Sequence, residues 1–161
     1  MLYEKCNKSA IYKLAVNNRI IYMSASCTNY MNKQRCVVIV ETNKFIELWQ
    51  NEPNISDRNL NFGNKEGWKR DKKFVLAEDG FSYGKSNPVP LAIIECYINN
   101  NNNLPYITID DGITRTIWLL SNEVKYFPVE CQDIAEAQLL LKFAGYKDTK
   151  IYTIEELLNC N

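Results

Sequence analysis

The chain has 161 residues, 46% of them hydrophobic and 24% charged, so a single globular domain over residues 1–161 with a real core is expected. Nineteen basic residues balance nineteen acidic ones, so no overall positive field draws the molecule onto nucleic acid, and no run of about 18 apolar residues is present to span a membrane. There is no histidine, which excludes Ser-His-Asp and Cys-His catalysis, His-ligated zinc and histidine proton relays.

The first residues, Met1 to Asn7, lack the apolar stretch of a signal peptide, and a cytoplasmic location is expected. Residues 10–16 and 19–25 are β-rich runs, and Asn17-Asn18 between them suits a tight hairpin turn. Residues 36–41 (Cys-Val-Val-Ile-Val-Glu) are almost wholly apolar and predict a strand buried on both faces. Thr42 or Asn43 is placed to cap a short helix over 44–51, with Phe45, Leu48 and Trp49 on one apolar face and Pro53 beyond its end. Together these make a β-rich N-terminal part, residues 1–52. Residues 53–87 show no sustained period and predict a long loop region, with a short helical turn near Trp68.

Pro88 to Ile98 predicts a strand with its prolines at the start, the Asn99–Asn103 run a turn, and residues 105–109 the next strand. Asp110-Asp111-Gly112 breaks that strand. Ile113, Ile117 and Leu120 then share a helical face over 113–121, with Trp118 adjoining. A short strand over 125–130 follows. Asp133 is placed to cap a helix over 134–144 that turns Ile134, Ala137, Leu140 and Leu141 inward, with Gly145 at its C-cap. Tyr152 or Thr153 opens a last helix, Ile154 to Leu158, with Glu155-Glu156 on its outer face.

Six cysteines stand at 6, 27, 36, 96, 131 and 160, none spaced Cys-x-x-Cys, so free thiols are expected rather than a zinc ribbon or a redox pair. Cys36 and Cys96 lie inside apolar runs and read as small buried hydrophobes. Lys44, Lys65, Lys69, Arg70, Lys72 and Lys73 form a basic set with Trp68 among them. Such a loop suits single-stranded nucleic acid, although neutral overall charge favours a solvated loop. Asp110, Asp111, Glu95 and Glu130 are the carboxylates nearest a metal set. Adjacent strand residues point to opposite faces, so a shared ion is not favoured.

The succession of strand, Asp111-Gly112-Ile113-Thr114-Arg115, helix, and Phe127-Pro128-Val129-Glu130 strand resembles the ParB/sulfiredoxin-like fold. In that fold the pattern is Asp-Gly-x-His-Arg before a helix, then an Ile-Pro-Val or Phe-Pro-Val strand; Thr114 stands here in the histidine position. The arrangement is most similar to the plasmid fertility inhibition proteins of the FiwA-like branch, with Osa a more distant relation. The N-terminal segment Val40 to Trp49 is similar to theirs too, and the resemblance covers residues 36–145. It implies an α+β fold: a ParB/sulfiredoxin-like mixed sheet core with helices over 88–161, preceded by the β-rich part.

The motif also has a physical reading of its own. Gly112 permits a sharp turn and close approach of a ligand. Helix-start N–H groups favour an anion, and Arg115 offers a bidentate fork. Asp111, Gly112, Thr114 and Arg115 are thus candidates for anion or nucleotide binding. In nucleotide-using relatives the Gly, His and Arg hold phosphate together; Thr114 keeps a hydroxyl but lacks the imidazole. The plainer alternative is a structural turn, with Asp111 as the helix cap and Arg115 paired with Asp110 or Glu130.

The resemblance implies a small bacterial inhibitory protein that binds a protein partner in the conjugation or secretion machinery. An immunity or antitoxin protein is a second expectation. A nuclease or nucleotide-hydrolysing enzyme using Arg115, Thr114 and a carboxylate is a third, disfavoured by the missing histidine. A DNA-binding accessory factor is a fourth, disfavoured by neutral charge. No cofactor and no metal are called for.

Overall fold

The computed structural model describes residues 1–6, 8–27 and 34–158. β1 (Leu2–Cys6), β2 (Ser9–Val16) and β3 (Arg19–Ser26) pair antiparallel in sequence. Alternation sends Ala10, Tyr12, Leu14 and Val16 of β2, and Ile21, Met23 and Ala25 of β3, into the core. Asn17 makes the predicted turn with φ +52°, a value Asn tolerates better than most residues. A two-residue strand, β5 (Val89–Pro90), adds to β3 in parallel.

The second sheet runs β7-β6-β8-β4-β9. Its members are β4 (Cys36–Glu41), β6 (Ala92–Ile98), β7 (Pro105–Asp111), β8 (Tyr126–Cys131) and β9 (Tyr152–Thr153). Both sheets are mixed, since β3–β5 and β6–β8 are parallel and the other pairs antiparallel. With helices attached, the α+β class stands. β4 lies between β8 and β9, and Cys36, Val37, Val38 and Val40 are essentially inaccessible, as the apolar run predicts for a central strand.

Several boundaries differ from the sequence reading. Residue 52 does not divide the sheets, because β4 belongs with the strands after residue 91 while β1–β3 form the other sheet. The strand predicted over 88–98 breaks at Leu91, whose N–H bonds Ser24 O at 3.0 Å, so the chain changes sheets there. Residues 53–87 are not a long loop. They carry α2 (Arg58–Asn61), α3 (Lys65–Lys69), α4 (Phe74–Ser82) and a 3-10 turn, Gly84–Ser86. The side chains of Asp57 and Asn64 accept from Asn59 N and Gly67 N, both at 2.9 Å, which starts α2 and α3. Trp68, Ala77 and Phe81 supply the burial that holds the segment down.

α1 (Thr42–Gln50) buries Phe45, Leu48 and Trp49 as predicted, but it begins two residues early. Neither Thr42 nor Asn43 caps it: the cap position is Glu41, and the Thr42 hydroxyl bonds the Val124 carbonyl across the fold instead. α6 (Ile134–Ala144) is capped by Asp133, which accepts from Glu136 N at 2.9 Å, while Glu136 accepts from Gln132 N at 3.2 Å. The arrangement is close to a capping box, except that the Glu136 carboxylate reaches the N–H one residue before the cap rather than that of Asp133. Ala137 and Leu140 are buried and Leu141 is half-buried, but Ile134 is 47% exposed, so the inward face is narrower than the spacing suggested. α7 (Ile154–Leu158) opens on a reciprocal pair, Thr153 with Glu156. Among the described cysteines, 6, 36, 96 and 131 are free thiols. Cys160 lies outside the described residues.

Candidate functional site

β7 runs on to Asp111, so the Asp-Asp pair does not break the strand; Gly112 does. With φ +100° it is the cap residue of α5 (Ile113–Ser121), and no side chain caps this helix. Asp111 is therefore not the cap. It forms an ion pair with Arg115 one turn along, and Asp110 does not take that role. The guanidinium folds back over the turn: a Cβ on Gly112 would collide with Arg115 Nε and come within 2.9 Å of both Arg115 Cζ and the Ala92 Cβ. Gly112 is thus required twice, for its dihedral and for the space Arg115 occupies.

Arg115 is mostly buried, its side chain 17% exposed, and its Nε has no hydrogen-bond partner among the described residues. Thr114 is half-buried in the first turn of α5, one residue before Arg115, and the Thr116 hydroxyl behind it is buried and unpartnered. Residues 116–121 of α5 are all buried because α3 and α4 cover the side that a surface helix would leave wet. Ile113 escapes that cover and is 36% exposed, so it does not join Ile117 and Leu120 in the core.

Arg115 pairs with Asp111 rather than with Glu130, the buried acid beneath the turn that the sequence offered as its partner. Glu130 of β8 is only 6% exposed and faces Arg35, with Nη1 and Oε2 3.6 Å apart. Burial pushes its carboxyl up to about 7, against the pull of the Arg35 and Arg115 charges. The charge on Glu130, second to burial, helps drive the Tyr12 phenol upward, and that hydroxyl is also buried without a partner. Arg115, Asp111, Glu130 and Arg35 thus form one charge group bridging the β7–α5 turn and the β4–β8 pair, in which Glu130 titrates near neutrality. The sequence signal for it was slight: an arginine just before an apolar strand, and a glutamate at the end of another.

The remaining candidates do not join this group. Glu95 accepts from the Thr108 hydroxyl at 3.2 Å, Asp110 and Asp111 are exposed, and no three metal-ligating side chains come together among the described residues. The basic-aromatic set is also dispersed. Trp68 is 6% exposed and its indole N–H bonds Leu60 O at 2.8 Å, so it offers no face to a base. Lys44, Lys65 and Lys69 pair with Glu41, Glu123 and Glu66.

A mixed two-sheet α+β fold with an Asp-Gly-x-Thr-Arg turn between β7 and α5 defines the class. The sequence profile of the plasmid fertility inhibition factors matches residues 37–145, and the chain belongs to that family. It is 35% identical over 81 residues to the protein Osa of Shigella flexneri, a match covering 50% of this chain and 42% of that protein. The crystal structure of Oncogenic Suppression Activity Protein, a plasmid fertility inhibition factor solved as a gold(I) cyanide derivative, has the same fold. Its TM-score is 0.83 at 24% identity, over 99% of this chain and 80% of that one.

Proposed function

We propose that this chain lowers plasmid transfer by binding a bacterial protein of the conjugation or secretion machinery, from the cytoplasmic side. Its membership of the fertility inhibition factor family carries this reading. The state of the motif supports inhibition by binding rather than turnover: Thr114 stands where a histidine would serve catalysis, and Asp111 already holds the Arg115 guanidinium. The test is transfer frequency from donor cells that carry a conjugative plasmid and express the chain. At least a tenfold fall is expected, and it should persist in Thr114→Ala. Unchanged transfer overturns the proposal, and loss of the effect in folded Thr114→Ala moves the activity to the motif.

One observation favours an accessory role for the turn as an anion pocket: the buried, unpartnered Nε of Arg115 beside the start of α5. Phosphate, sulfate or a nucleotide at millimolar concentration should raise the melting temperature of the wild type and not of Arg115→Ala. Identical melts of the wild type with and without these anions leave the turn a purely structural one.

A further inference from the structure

We infer that the outer face of α4, with the basic residues leading into it, is the surface that docks an acidic amphipathic segment of the partner protein. This deepens the inhibitory reading above and rests on it. α4 has an ordinary inward stripe: Phe74, Ala77 and Phe81 pack toward the core, and Glu78 accepts from the Trp118 indole at 2.6 Å. Its outward positions are the anomaly. Val75, Leu76 and Tyr83 are 57%, 62% and 60% exposed, at spacings that place them along one face. A helix with apolar residues on both faces, only one of which packs inside, has a surface suited to a further protein.

Charge selects the occupant. Residues 58–73 hold six basic side chains against two acidic ones in a chain of zero net charge. Arg70, Lys72 and Lys73, next to the start of α4, are exposed and form no ion pair among the described residues, in contrast to Lys65 and Lys69. An apolar strip beside unpaired cations complements a segment with leucine- or phenylalanine-sized anchors at helical spacing and Asp or Glu at one end. Asp79 shares the outer face, so the acidic end must lie over Arg70, Lys72 and Lys73 rather than over the middle of α4. Nucleic acid fits less well, because Val75 and Leu76 cannot stack with bases, Trp68 is buried, and Tyr83 is left as a single stacking side chain on the face.

Two measurements decide it. The first probe is a synthetic helical peptide with Leu at i, i+3 and i+7 and three glutamates at one end. Its binding to the full chain is followed by amide NMR shifts and by anisotropy. Shifts centred on residues 70–83 are expected, with at least tenfold weaker binding to folded Leu76→Asp and to Lys72→Glu/Lys73→Glu, and weaker binding at high salt. A peptide with lysines in place of the glutamates that binds equally well, an oligonucleotide that displaces the acidic peptide, or shifts elsewhere each overturn the surface. So do shifts at residues 70–83 that appear on concentrating the chain alone, which assign the face to self-association. The second measurement is plasmid transfer with the same two variants, whose melting temperatures should match the wild type. Loss of inhibition in both is expected. Full inhibition by both variants discards the surface and leaves the inhibitory reading intact, whereas unchanged transfer with the wild type discards that reading while the peptide still tests the surface.

Discussion

At Gly112 two separate costs fall on any other residue, and they can be measured apart. The left-handed dihedral penalises a side chain, and the Arg115 guanidinium and Ala92 Cβ occupy the space it would need. Gly112→Val should lower stability by about 1–3 kcal/mol in urea titration. Gly84 also has a positive φ but nothing within 4 Å of its missing Cβ, so Gly84→Ala should show only the dihedral cost, about 1 kcal/mol. Equal losses at the two sites would remove Arg115 from the explanation. Glu130 makes a second prediction, of opposite sign to most acids. Its folded pKa, about 7, lies above the usual 4.5, so between those values the native state holds more protons than the unfolded chain. The favourable term is present in full below about pH 4.5 and is lost as pH rises through 7, by no more than about 3 kcal/mol. Denaturation midpoints at pH 5 and pH 8 should therefore differ more in the wild type than in Glu130→Gln. Parallel profiles would show that Glu130 titrates normally.

Elements were legible where a local signal and a burial pattern agreed. β2 and β3 have alternation plus an Asn turn, and α6 has Asp133, Glu136 and an apolar stripe, so both stand close to their expected bounds. Asp133→Ala should cost about 1 kcal/mol, read as a lower thermal midpoint, because the Glu136 N–H loses its acceptor. An unchanged midpoint would mean water replaces the cap at no cost. Within 58–82 the helical turn expected near Trp68 is α3, whereas α2 and α4 were not legible: α2 has four residues, and α4 carries apolar residues on two faces, so no single period stands out. The caps Asp57 and Asn64 were visible signals that the lack of period obscured. At the site, the Asp-Gly turn and Arg115 were readable as a local motif. Arg35 and Glu130 were not readable as a pair, since β4–β8 pairing joins them across most of the chain.

For the molecule as a whole, the two sheets bury thiols unequally. Burial holds Cys36 up to about 11 and Cys96 up to about 12, and pushes Cys131 higher still, whereas Cys6 is exposed. Brief alkylation of the native protein should therefore label Cys6 and spare Cys36, Cys96 and Cys131 in peptide mass spectra, with all four labelled after unfolding. Fast labelling of any of the three would show that the second sheet opens readily.

The place of β4 in that sheet has a consequence for synthesis on the ribosome. Both of its neighbours, β8 and β9, are translated long after it: the first begins at Tyr126 and the second at Tyr152. Until then the nascent chain carries an apolar strand with two unpaired edges, the kind of segment that chaperones bind and that aggregates when left uncovered. Arrested chains ending near residue 125 should be protease-sensitive and chaperone-bound, while release of the full chain should restore resistance in one late step. The amount of folded protein in a cell would then follow completed chains rather than translation begun, which ties its supply to that of chaperones.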